Sequence, residues 1–387
     1  MEKLIGKIIN KYLIIKQIGK GNFGTVFLSY NRNKKNLFAL KIFEEQDEDN
    51  YEHETKLLIK LKNIKNVIHI IDNFKYNDYF IIVEELMINS LDHLLENYYK
   101  NGLPLNVINK IKLLENTIKE IHNKDILHGD IKPDNIFIKG ISNEYKNLLF
   151  KLNNMNTKQF NKYSSSLSKN NNFIDNDDNN DDEDNKDNKE NEEEDDEEYE
   201  INTLSDIHSE HNDEEMNNYV LENLLEMVFD EENNEDNEDK GDNEEDENDK
   251  IEEELIVIKE DYKEKKLMEY EYVIGDFDNS LIISETDFNN IEDFQTRYYR
   301  SIDIILRGNI TPECDLYAFN ETLYELQNGK VRIDPHKSFG ITTDKNHIKL
   351  LLENGLIIND NLKKSRKYHL FFDNNDLFLY NDYLTIK

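Results

Sequence analysis

Between Asp175 and Ile256 the chain carries 40 Asp and Glu against 4 Lys, and this stretch limits what can fold around it. Like charges at that density repel, and the segment has too little apolar surface to offset the entropy of an ordered chain. Any compact core must therefore be assembled from sequence on both sides of the tract. The tract also holds the whole net charge of −36, since the other 305 residues carry 43 acidic and 43 basic side chains. A binder of phosphate backbones would display a basic stripe, so direct contact with nucleic acid is not expected. A basic protein or peptide is the electrostatic match for the tract, unless it is only a solubilising loop.

The 387 residues allow one large or two ordinary domains. Cys314 is the only cysteine, which rules out an intrachain disulfide and a four-cysteine metal site and agrees with a reducing compartment. No apolar run approaches the roughly 18 residues of a membrane span, and "MEKLIGKIINKY" lacks a signal-peptide core. The expectation is a soluble intracellular protein, cytoplasmic or nuclear, with no membrane partner. "KKSRK" at 363–367 is too short to choose between those compartments.

Hydrophobic periodicity changes along the chain. "YLIIKQIGKGNFGTVFLSYN", "LFALKIFE" and "VIHIIDNFKYNDYFIIVEEL" read as strands, with one helix at "YEHETKLLIKLK". After residue 88 the pattern turns helical. "NVINKIKLLENTIKEIH" places Ile108, Ile111, Leu114, Ile118 and Ile121 at helical spacing, and "DLYAFNETLYELQNG" stops at Gly329. Short strands, "NIFIKG" and "EYVIGDF", flank the tract. The pattern predicts an α+β chain with a mainly β front part and a mainly helical remainder. Within the insert, "YVLENLLEMVFD" carries a helical stripe that could dock on the folded part, on a partner, or on neither.

Four motifs follow in order. Gly19, Gly21 and Gly24 in "IGKGNFGTV" would let backbone N–H groups approach phosphates, although an ordinary hairpin has the same composition. Lys41 closes an apolar strand and could point inward or reach out to solvent, and Glu54 on the following helix could pair with it. "HGDIKPDN" then sets Asp130, Lys132 and Asn135 just past a glycine, and "IGDFDN" brings Asp276 after the tract.

Taken together, the glycine loop, strand lysine, helix glutamate, H-x-D-x-K-x-x-N and D-F-x resemble the protein-kinase signature. "HGDIKPDNIFI", "DFQTRYYRSIDII", "ITTDKNHIKLLLENG" and "KYHLFFDNNDLFL" resemble most closely the serine/arginine-protein kinases. The resemblance runs from about residue 10 to 387, interrupted by the tract. It implies a bilobal kinase-like fold, with a small, mainly antiparallel β lobe over 10–86. A larger helical lobe would cover 87–154 and 266–387, with a disordered acidic insert over 155–265. It implies ATP and Mg²⁺, and Ser/Thr transfer to protein substrates, with basic Arg/Ser-rich clients as candidates; a nucleotide- or protein-binding pseudokinase is the alternative.

Carried over by residue, the resemblance implies that Asp130 orients the hydroxyl nucleophile and Lys132 neutralises the γ-phosphoryl group. Asn135 and Asp276 would hold magnesium, and Lys41, fixed by Glu54, would grip the α and β phosphates. Thr296 would contact Asp130. Adenine would lie among Ile18, Val26, Ala39 and Phe137, with Val83 at the gatekeeper position and the backbones of Glu84 and Leu86 at the hinge. Gly19, Gly21 and Gly24 would cover the phosphates. Asp315 would support the catalytic-loop backbone or serve as a helix N-terminal charge.

Three departures stand out. Gly129 replaces an arginine that pairs with a phosphorylated activation segment, so a constitutively formed site is expected. Asp278 occupies the glycine position of D-F-G, where a positive φ would strain it. The family continues with further carboxy-terminal helices, so the helical lobe reads as shortened.

Overall fold

The computed structural model describes residues 1–21, 23–171, 264–288, 291, 294–308, 310–336 and 341–379. The stripe at 219–230 and the whole acidic tract, 175–256, lie outside those residues. The amino-terminal part is a six-stranded antiparallel sheet with the order β1-β2-β3-β4-β6-β5. Its strands are β1 (Ile8–Ile9), β2 (Tyr12–Lys20), β3 (Gly24–Asn31), β4 (Asn36–Phe43), β5 (Ile70–Tyr76) and β6 (Tyr79–Glu84). Helix α1 (Glu48–Leu61) packs Leu57, Leu58 and Leu61 into the core, with Glu54 on the same buried face.

The rest is mainly helical. A short strand β7 (Met87–Ser90) leads into α2 (Leu91–Asn97), which Ser90 caps by accepting from His93 N. Helices α3 (Leu105–Ile111) and α4 (Leu114–His122) follow. The sequence pattern predicts one helix here. The stripe does run through both, and Ile111, Ile118 and Ile121 are fully buried. The backbone tightens at the junction, where Leu113 N bonds Lys110 O and Glu115 N bonds Lys112 O, a three-residue spacing that ends one helix and starts the next. Each such buried side chain contributes about 1.5–3 kcal/mol.

Strand β8 (Ile126–Leu127) pairs with β11 (Leu281–Ile282), and β9 (Ile136–Lys139) lies between β7 and β10 (Tyr272–Ile274). Phe137 is opposite Val273 and Ile136 opposite Ile274. The strands on either side of the acidic tract are thus hydrogen-bonded neighbours, and the tract connects them. Helices α7 (Ile302–Ile305), α8 (Glu313–Asn328) and α9 (Thr343–Glu353) complete this part. Gly329 ends α8 at φ 67°, the left-handed stop its sequence predicts. Ile302, Leu306, Ile348, Leu362, Phe371 and Phe372 close a further core cluster. Small antiparallel lobe and larger helical lobe together form a bilobal α+β fold.

Two helices were not expected. After β9 the chain forms α5 (Asn143–Asn154), capped by Ser142, and then α6 (Thr157–Asn171). Low-complexity sequence was expected from 155 onward, yet α6 buries Phe160 and packs Tyr163 and Leu167 with Leu13, Leu28, Tyr30 and Leu37 of the sheet. Those three residues sit at i, i+3 and i+7, enough apolar stripe for a helix that finds a sheet face to cover. Lys16–Glu144 at 2.8 Å, Tyr30 Oη to Asn153 Oδ1 at 2.8 Å and Ser164 Oγ to Gly6 O at 2.6 Å fix the pair in place. Among the described residues no helix is long and apolar enough to cross a membrane.

Candidate active site

Strand β4 carries Lys41 and helix α1 carries Glu54, and both are buried. Lys41 Nζ lies 2.9 Å from Glu54 and 3.4 Å from Asp276, and it also bonds Asp278. Burial alone would lower the Lys41 ammonium, but Glu54, Asp276 and Asp278 together outweigh it and hold its pKa well above the ordinary value. Burial raises the Glu54 carboxyl, against the opposing pull of Lys41. Burial would raise the Asp278 carboxyl, but the Lys41 charge and hydrogen bonds with Glu54, Lys41 and Asp276 together hold it below the usual carboxylate range.

The catalytic-loop residues follow β8. Gly129 takes φ +77°, and a Cβ there would stand 2.6 Å from Asn279 O and 2.7 Å from the Phe294 ring. An arginine at 129 therefore has no room in this backbone, which accounts physically for the departure. Asp315, fully buried on α8, accepts from His128 N at 2.7 Å and Gly129 N at 3.0 Å, and His122 Nε2 lies 3.0 Å from it. Of the two readings of Asp315, loop support is the one these contacts match.

Asp130 accepts from the Thr296 hydroxyl at 2.6 Å and from Thr296 N at 3.2 Å, and Lys132 Nζ stands 3.2 Å away. Burial would raise the Asp130 carboxyl, but the Thr296 hydrogen bond and the Lys132 charge hold it below its ordinary value. Burial would lower the Lys132 ammonium, but the charge and hydrogen bond of Asp130, with the charges of Asp134 and Asp276, together raise it above its ordinary value. Asn135 Nδ2 donates to Asp130 O at 2.8 Å and to Oδ2 at 3.3 Å, which turns its amide oxygen the other way. Gly275 N donates to Asn135 O at 3.0 Å, so the β9–β10 pairing sets Asp276 beside Asn135.

A cleft of about 470 Å³ runs from Lys41 and Glu54 to Asn135 and Asp276. Ile18, Gly19, Gly21, Val26, Ala39, Lys41, Glu54, Glu84, Leu86, Asn135, Phe137 and Asp276 line it. Two expected residues do not: Val83 is wholly buried in the sheet core, and Gly24 lines a neighbouring hollow with Phe23 and Thr25. Asp130, Lys132 and Thr296 open instead into a smaller cavity of about 180 Å³ with Gln295 and Arg300. Asn135, bonded to Asp130 and lining the larger cleft, connects the two. Sequence reasoning missed Ile68, Met87, Ile88 and Tyr145, which also line the cleft. Tyr145 comes from α5 and carried no motif; only the packing of that helix reveals it.

The D-F-D turn resolves differently from expectation. The positive φ, +59°, falls at Asp276, and Asp278 is not among the left-handed residues. The glycine position therefore makes no demand for glycine here. Phe277 is fully buried with its ring 4.8 Å from that of His128, tying the turn to the catalytic loop. Beside Thr296, Arg297 bonds Asp344 at 2.6 Å and Arg300 Nε bonds Gln295 O at 2.9 Å. The carboxylate of Asp276 and the turned-out amide oxygen of Asn135 form a hard-oxygen pair of the kind that suits Mg²⁺.

Residues 12–163 match the family described as the protein kinase domain. A protein of Acanthamoeba polyphaga mimivirus named as a serine/threonine-protein kinase, L205, is 27% identical over 416 residues, 94% of this chain and 75% of that protein. The serine/threonine-protein kinase prpf4B of Dictyostelium discoideum is 34% identical over 153 residues, 37% of this chain and 19% of its own length. Human cyclin-dependent kinase-like 5 is 30% identical over 138 residues, 35% of this chain and 14% of its own length. The chain thus spans three quarters of the first of these relatives and under a fifth of the other two, and the likeness reaches several kinase subfamilies.

Proposed function

From a chain that carries a eukaryotic-type serine/threonine protein-kinase domain, we propose an enzyme that transfers the γ-phosphoryl group of ATP to Ser or Thr hydroxyls of proteins. The observation that carries this reading is the meeting of Lys41 with Glu54 and Asp276 in one cleft, although Lys41 and Asp276 lie 235 positions apart. In this reading Ile18, Val26, Ala39 and Phe137 enclose the adenine, and the Glu84 and Leu86 backbones hydrogen-bond its edge. Gly19 and Gly21, lacking side chains, let the loop backbone close over the phosphates, and Lys41, held by Glu54, neutralises them.

Asp276 and Asn135 would hold Mg²⁺, which supplies charge neutralisation at the phosphates when bound. Asp130 is a weakly basic, ionised carboxylate. Its role is to orient the incoming hydroxyl and accept the proton only as transfer completes. Thr296 and Asn135 fix its two oxygens, and Lys132 stands ready for the charge that develops on the transferred group.

Basic substrates, the class suggested by the motif resemblance to serine/arginine-protein kinases, belong to the same proposal. Support comes from Asp92 at the start of α2, whose carboxyl is pushed up to about 6 by burial and then by the charges of Asp134 and Glu96. An excess of carboxylates beside Lys132 favours an arginine near the phosphorylated serine. The proposal divides the chain into a smaller lobe over 10–86, a larger one over 87–154 with 266–387, and an acidic insert over 155–265 whose first part forms α6. The proposal also keeps an intracellular location.

Transfer of labelled phosphate from ATP to serine peptides flanked by arginine or by aspartate tests the reading. Faster use of the arginine peptide is expected, and faster use of the acidic one contradicts the substrate class. The contact of Asp278 with Lys41 favours a second reading, a pseudokinase scaffold. Nucleotide binding without transfer to either peptide would establish that alternative.

A further inference from the structure

Asp278 takes up an ammonium that the phosphates would need. Lys41 Nζ meets Glu54 at 2.9 Å, Asp276 at 3.4 Å and the carboxylate of Asp278. One cation thus faces three carboxylates, and one oxygen from each lies within 4.8 Å of the others. The Asp278 side chain is 4% exposed, so water screens its charge poorly. Asp278 does not line the cleft, but Lys41, Glu54 and Asp276, which surround its carboxylate, do. The glycine loop is also near, since a Cβ added at Gly21 would stand 3.4 Å from Asp278 Oδ2. The carboxylate is therefore held between the strand lysine and the glycine loop, the two elements that would face a polyphosphate.

We propose that Asp278 is a positioning residue that makes nucleotide binding depend on a divalent cation. This deepens the nucleotide-binding reading above and rests on it. Without a cation, phosphate oxygens compete with Asp278 for a single ammonium in a site that already carries an excess of negative charge. With one, the oxygens of Asp276 and Asp278 gain a second positive partner, the repulsion is cancelled, and Lys41 is released to the phosphates. A merely bracing role for Asp278 predicts the opposite sign: removing it would loosen Lys41 and weaken binding under every condition.

The test is calorimetric binding of ADP to the full chain in excess EDTA and in excess Mg²⁺, for wild type, Asp278→Asn and Asp278→Gly. Thermal unfolding of each protein establishes that it is folded. Asp278→Asn keeps the shape and removes the charge, and Asp278→Gly removes the side chain where no left-handed backbone is required. We expect both variants to tighten metal-free binding by about tenfold, so that the ratio of metal-free to Mg²⁺ dissociation constants narrows. Metal-free affinity that is unchanged or weaker in both variants would overturn the proposal, as would failure of both to fold, since Asp278 would then be a brace. ADP binding by no protein in either condition would overturn the nucleotide reading itself and this inference with it.

Discussion

Replacing Asp315 by alanine should separate the pose of the catalytic loop from the rest of the fold. The carboxylate is fully buried and accepts from two loop N–H groups, His128 at 2.7 Å and Gly129 at 3.0 Å, with His122 Nε2 at 3.0 Å. Alanine leaves two buried N–H donors unpaired, at about 1–3 kcal/mol each. Removing the carboxylate returns part of the several kcal/mol that burying its charge costs. The net loss should be about 3 kcal/mol, which for a chain of this size lowers Tm by roughly 4–5 °C. Asp315→Asn keeps one acceptor oxygen and should lose about half as much.

Asp130 is the next residue in the chain. Misplacing it by about 1 Å should lower kcat by about a hundredfold at temperatures where the variant is still folded. ADP affinity, set by the Lys41 side of the cleft, should hardly move. Thermal unfolding followed by circular dichroism, with turnover measured well below Tm, checks both parts. An alanine variant that melts with wild type and keeps its kcat would refute the anchoring argument.

Glu54→Gln should lower kcat/KM by at least about tenfold, because the neutral partner no longer fixes the Lys41 ammonium; steady-state kinetics at saturating Mg²⁺ reads it. His347 is fully buried with neither ring nitrogen hydrogen-bonded, and burial, then the charges of Arg297 and Arg300, push its pKa down to about 3. Its folded value lies below its unfolded value, so its effect is absent above pH 6.5 and stability falls as pH drops from 6.5 toward 3. Between pH 7 and pH 5 the loss should be about 2 kcal/mol by urea unfolding, and His347→Phe should flatten that slope. Protonation of Asp92 as pH falls through about 6 should raise KM for an arginine-flanked peptide and leave KM for a neutral one unchanged. Phe160→Ala should cost about 3 kcal/mol if α6 covers the sheet as described, and an unchanged Tm would remove that helix from the core.

The polar site was legible because its residues are spaced by the backbone that presents them. Asp130, Lys132 and Asn135 sit on one short loop, and Asp276 follows a strand that pairs with the strand after Asn135. Lys41 and Glu54 were harder, since either side chain alone could have pointed to solvent; only their order along the chain suggested a pair. The sequence could not say which residue of the D-F-D turn would take the left-handed conformation, because that depends on what the turn packs against. Val83 has the same apolar chemistry whether it faces a cofactor or the core, and it faces the core. Helix α6 escaped notice because its composition is mostly Asn, Lys and Ser, and its short stripe makes sense only beside the sheet it covers.

The most direct measurement is transfer of labelled γ-phosphate by wild type and by Asp130→Asn, with ADP affinity determined on the same samples. The convergence of Asp130, Lys132, Asn135, Asp276 and Lys41 predicts a rate at least about a hundredfold lower in the variant, with ADP binding within a few-fold of wild type. Equal, negligible transfer by both proteins, with ADP still bound, would contradict it.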